Sequence, residues 1–230
     1  MSLDSINFYQ EYLDNPKYGR PTPEDIMCEV QLNSLPGWEK LVKVFNEDEF
    51  LAQLAPYQEQ FVPYLPRPGR TNHREGLLLS GLEGDSPNVS LSMPEARTRT
   101  GNSKLKESEF CYPTQFYHDM KCLQPVLDYF QPLGRTYIVK AYGGSYFPSH
   151  KDHPLISRDC FRIVAFCGNV ENYRWELEGQ PIPVQRGGWY YVDTRKTHQT
   201  FQMLEPSYHL IANIPKTWDN ILKLMSILPA

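Results

Sequence analysis

No stretch of the 230-residue sequence stays apolar long enough to cross a bilayer, so a membrane partner is not expected. There is no internal repeat and no low-complexity tract. Charge of either sign is not in excess: 23 Lys and Arg stand against 27 Asp and Glu, a net −4, so no general nucleic-acid-binding surface is implied. The start, MSLDSINFYQEYLDNP, has neither the basic residues nor the apolar core of a secretory signal. Cys28, Cys111, Cys122, Cys160 and Cys167 are odd in number and include no CxxC pair. That argues against a disulfide framework and for reduced thiols in a cytoplasmic setting.

What is plentiful is proline, with 20 residues, and tyrosine, with 15. Proline punctuates and aromatic rings suit pleated surfaces, so both favour a loop- and strand-rich chain over a helical bundle. The length suits a single domain spanning 1–230. Residues 1–133 read as a helical and irregular portion packed on the rest. Within it, 47–61 looks helical with an acidic first turn and a break at Pro56, and 113–133 suggests a helix with an apolar stripe. The segments 67–76 and 95–108 read as polar loops. The second carries four basic residues and is either a solvated turn or a lid over a site.

From Thr136 the texture changes. Eight short β-rich segments follow: TYIVKAYG, SYFPSH, CFRIVAFCG, YRWELEG, PIPVQ, GWYYVDT, HQTFQML and YHLIANIP. Turn residues such as Gly143-Gly144, Gly168-Asn169 and Gly187-Gly188 separate them. The expected fold is mainly β with flanking helices, a double-stranded β-helix (jelly roll) over 134–215, closed by a helix in 216–230.

One short stretch concentrates chemistry. YFPSHKDHPL, residues 146–155, holds His150, Asp152 and His153. In an extended segment residues i and i+2 share a face, so His150 and Asp152 can converge on one ion while His153 points away. A third ligand must come from another strand, and His198 opens the seventh β segment, which lies beside the second in a jelly roll. Two histidines and a carboxylate on one side of a metal leave open positions, the pattern of non-haem Fe(II) oxygenases.

The runs YIVKAYGGSYFPSHKDH, FRIVAFCGN, GGWYYVDTRKTHQTFQ and YHLIANI resemble the 2-oxoglutarate/Fe(II)-dependent dioxygenases, most of all their aspartyl/asparaginyl β-hydroxylase-type branch. The resemblance covers about 134–215. It implies Fe(II) on His150, Asp152 and His198, with 2-oxoglutarate and O2 as cosubstrates. It also implies hydroxylation of an amino acid, free or within a peptide. Such enzymes hold the distal carboxylate of 2-oxoglutarate with an arginine on the last barrel strand, but here no Arg or Lys follows His198 before Lys216. Arg162, in FRIVAF, matches the arginine that the β-hydroxylase branch carries after its metal motif. It is expected to be the anchor, with His209 assisting. The alternatives are a structural salt bridge for Arg162 and a buried backbone-bonded role for His209. Two rival functions remain. One is a jelly-roll metal-binding protein without turnover. The other is a zinc hydrolase, suggested by HKDH but lacking the leading histidine of the HxHxDH signature, where Pro148 stands.

Overall fold

The computed structural model describes residues 21–64, 73–89, 92–152, 158–204 and 206–229. Ahead of the β-rich region the chain forms α1 (Pro23–Asn33), β1 (Trp38–Val44), α2 (Glu47–Leu54), β2 (Val62–Pro63), β3 (Arg74–Gly81), α3 (Met93–Thr100), β4 (Tyr112–Pro113), α4 (Gln115–Asp119) and α5 (Gln124–Leu127). Local chemistry sets these bounds. Asn46 caps α2 by accepting from the Glu49 N–H, and Pro56 falls where α2 gives way to the 3₁₀ turn Ala55–Gln60. The stretch 113–133, expected as one helix, is instead a chain of short helical turns, with Pro125 starting a new one at α5.

The polar stretch 95–108 also differs from expectation, because its first half is helical. Ser92 and Glu95 form a reciprocal capping box at the start of α3, and Gly101 ends the helix at φ 66°. Of its basic residues, Arg97 bonds to the Leu105 carbonyl and Arg99 pairs with Asp85.

The eight expected strands all form: β5 (Thr136–Ala141), β6 (Ser145–His150), β7 (Cys160–Gly168), β8 (Tyr173–Leu177), β9 (Gln180–Ile182), β10 (Gly188–Val192), β11 (His198–Gln202) and β12 (Ser207–Pro215), followed by α6 (Trp218–Ser226). They alternate between two antiparallel sheets, except that β8 and β9 follow one another within the smaller one. The larger runs β10-β7-β12-β5 and the smaller β6-β11-β8-β9, which is the double-stranded β-helix. The portion before residue 134 is more than helical and irregular, since β1 adds to the β10 edge of the larger sheet and β3, then β2, to its β5 edge.

Alternation along the strands builds two cores. On β7 and β12, Ile163, Ala165, Leu210, Ala212 and Ile214 turn outward, where Phe50, Leu54, Phe116, Leu123, Leu127 and Leu224 cover them. Val164 and Phe166 turn inward against Tyr173, Trp175 and Ile182 of the smaller sheet. Trp189 and Tyr191 sit under the helices, whereas Tyr190 lies between the sheets. The inner side of β12 carries His209, and β7 carries Arg162 opposite Asn213. These polar residues in a mostly apolar layer mark the barrel interior as a site.

Candidate metal centre

The smaller sheet sets His150 and His198 directly opposite each other, as Cα partners in the β6–β11 ladder. Register slips between that pair and the next, Thr200 with Phe147, so β6 carries a bulge around Pro148. Proline has no N–H to give to a ladder and is tolerated at such a point. The bulge re-aims the end of β6. Asp152, just past it, is fixed by its backbone N–H, which donates to the Thr194 carbonyl at 2.9 Å. One ligand atom from each of His150, Asp152 and His198 then lies within 4.8 Å of the others.

The imidazoles are oriented in the same way. Nδ1 of His150 meets the Pro148 carbonyl at 2.8 Å and Nδ1 of His198 meets the Lys196 carbonyl at 2.9 Å. A carbonyl only accepts, so Nδ1 carries a proton in both rings, and in a neutral ring Nε2 is then the nitrogen that offers a lone pair. Burial pushes the His198 pKa down, against the opposing pull of Asp152, so the ring is held neutral. Burial would raise the Asp152 pKa, but the Arg162 guanidinium, 2.5 Å away, together with His198, a hydrogen bond from Thr194 and His150, more than offsets it and keeps the carboxyl below its usual range. Two imidazole nitrogens and one ionised carboxylate oxygen suit a divalent transition ion.

Arg162 faces the site and is committed within it: Nη1 to Asp152 and Nε to the Asn213 side chain at 3.0 Å. His209 lies at the other end of the same interior, its ring 3.9 Å from that of Tyr173 and its Nε2 2.7 Å from the Ser207 hydroxyl. Burial, and then the charge of Arg74, push its pKa down to about 3, so it is a neutral ring and brings no charge. His153, expected to point away from the metal, lies outside the described residues.

A cavity of about 250 Å³ joins these groups. Its wall includes the three candidate ligands, Arg162 and His209, together with Arg74, Tyr173 and Trp175. The N-terminal end of α3, Ser92 to Pro94, also borders it, just ahead of the segment 95–108 expected as a solvated turn or a lid. Trp175 is buried and its Nε1 has no hydrogen-bond partner among the described residues, an orphaned donor in the wall of a cavity sized for a small ligand. The sequence reading passed over Trp175, Asn213 and Arg74. The last could have been found by counting back along the strand pattern from LLLSGL, where Leu78, Gly76 and Arg74 share a face.

No family model matches the chain, and no curated protein does. Several solved structures are similar to it. One is an oxidoreductase of the 2OG-Fe(II) oxygenase family from Burkholderia pseudomallei, 15% identical, with 85% of this chain and 92% of that one covered and a TM-score of 0.40. A prolyl-4-hydroxylase from Pseudomonas putida is 10% identical, with 82% and 99% covered and a TM-score of 0.46. A prolyl hydroxylase from Trichoplax adhaerens, in complex with a hypoxia inducible factor peptide, is 13% identical, with 86% and 93% covered and a TM-score of 0.46.

Proposed function

We propose that the protein is a non-haem Fe(II)- and 2-oxoglutarate-dependent oxygenase that hydroxylates an amino acid, free or within a peptide. The observation that carries this reading is the convergence of His150, Asp152 and His198 at one end of a double-stranded β-helix, with both Nε2 atoms presented by backbone-held rings. The HxD spacing followed by Arg162 favours the aspartyl/asparaginyl β-hydroxylase-type branch for the finer assignment. A zinc hydrolase is disfavoured by Pro148, which stands where a further histidine would be needed and serves instead to shape the bulge.

His150, Asp152 and His198 would hold the metal. Fe(II) with 2-oxoglutarate and O2 would supply the oxidant for hydroxylating a substrate C–H, with succinate and CO2 as the coproducts. The protein's own groups do the rest. Arg162 keeps Asp152 ionised and fixed, and Asn213 steadies the Arg162 guanidinium in turn. Phe147 and Trp175 close the wall beside the imidazoles and exclude water, which strengthens every charge interaction inside.

Anaerobic addition of Fe(II) and then 2-oxoglutarate tests the reading. A visible metal-to-ligand charge-transfer band is expected for the native protein, and none for His150→Ala, Asp152→Ala or His198→Ala. A native protein that takes up Fe(II) but gives no band with 2-oxoglutarate would favour the metal-binding protein without turnover.

A further inference from the structure

A dianionic ligand in this cavity needs a positive partner at the end away from the metal; Arg162 and His209 were expected to give it, and Arg135 also lines the wall. Arg162 faces Asp152, Arg135 is held by both oxygens of Glu107, and His209 is neutral. Arg74 lines the same cavity. It enters the cavity wall from β3, a strand outside the eight of the barrel, paired to β5 at Ala141. Its guanidinium lies 4.4 Å over the ring of Phe147, which also meets the ring of His150 at 4.3 Å. One aromatic ring therefore separates this charge from the metal centre. Its field is felt at the opposite end as well, lowering the pKa of His209 and offsetting part of the rise that burial causes at Tyr173. Along the wall between lies Trp175, with its unpartnered Nε1–H and its ring 6.4 Å from that of His198.

Resting on the oxygenase reading, we propose that Arg74 binds the distal carboxylate of the cosubstrate, with the Trp175 indole N–H as a second donor, and that Arg74 makes the site selective for a dicarboxylate. A guanidinium presents paired donors to a carboxylate and stays charged at any working pH, which the neutral His209 cannot do. The anchor is thus moved from the barrel's last strand to a strand added beside it. The two ends of the ligand are then held by elements far apart in sequence, and the span between them selects ligand length as well as charge.

The test is calorimetric titration of the Mn(II)-loaded protein, which binds without turnover, with 2-oxoglutarate and with its 5-amide, the same shape without the tail charge. The native protein is expected to prefer the diacid by about tenfold or more. Arg74→Gln should bring that preference below about threefold while Mn(II) affinity stays unchanged, and Arg74→Lys should recover part of it. Trp175→Phe should weaken both ligands severalfold and leave the preference intact. An undiminished preference in Arg74→Gln would overturn the anchor while leaving the oxygenase reading in place. A native protein that shows no Mn(II)-dependent binding of 2-oxoglutarate would overturn both.

Discussion

At the scale of single residues, Arg162 is held inside the site by Asp152 and Asn213. As one arginine in an apolar strand it called for an anion, and 2-oxoglutarate was the obvious one. The anion beside it is Asp152. Both side chains are largely shielded from water, so each is costly to leave without the other. Arg162→Met should therefore destabilise the metal-free protein by about 3 kcal/mol in urea unfolding. A divalent ion on Asp152 supplies the missing positive charge, so Mn(II) should restore more stability to the variant than it adds to the native protein. Equal Mn(II) stabilisation of the two would mean that Arg162 does not hold the carboxylate. The same pairing shows what the sequence leaves open: a charged residue announces that it needs a partner, while the partner's identity depends on how β6 ends and where the chain goes next.

Among the elements, the loop between β10 and β11 is the one on which the site leans. The Thr194 carbonyl holds the Asp152 backbone and the Lys196 carbonyl holds His198. A buried ion cluster braces this loop from behind. Arg195 pairs with Asp193 at 2.6 Å and with Glu29 of α1 at 2.6 Å, and Lys216, just before α6, also pairs with Glu29. Two cations and two carboxylates balance. Glu29→Gln leaves two buried cations facing one carboxylate, and should cost about 3 kcal/mol in urea unfolding. Removing the extra cation as well, in Glu29→Gln with Lys216→Met, should cost less than the sum of the two single changes. Strict additivity would show that the cluster is not a unit. Nothing in the local sequence of α1 signals this task, because its partners lie more than 160 residues away.

For the whole molecule, the two faces of the larger sheet have different owners. The inner face belongs to the barrel and the outer face to helices drawn largely from residues 47–130. We propose that 1–230 is a single domain in which 134–215 does not stand alone. Residues 134–230 expressed by themselves would bare Ile163, Ala165 and much of the outer face of β12, an apolar patch far beyond what a soluble monomer tolerates. Aggregation or a poorly dispersed amide NMR spectrum is expected. A well-dispersed spectrum from that fragment would show the barrel to be autonomous.

The eight strands were legible because period-2 alternation and glycine turns are local signals, and each strand reports its own two faces. The candidate ligands were legible for the same reason: His150 and Asp152 share a short extended segment, and His198 opens the strand that a jelly roll sets beside it. The helix α3 was also written locally, in Ser92, Glu95 and Gly101, although its charge made it read as a loop. What tertiary structure alone decided is which charges face one another. Burial makes an ion pair strong only when desolvation and geometry coincide, and both depend on segments distant in sequence. Thus β3 brings Arg74 into the cavity, α1 brings Glu29 behind the loop, and the bulge at Pro148 precedes the turn that gives Asp152 to Arg162.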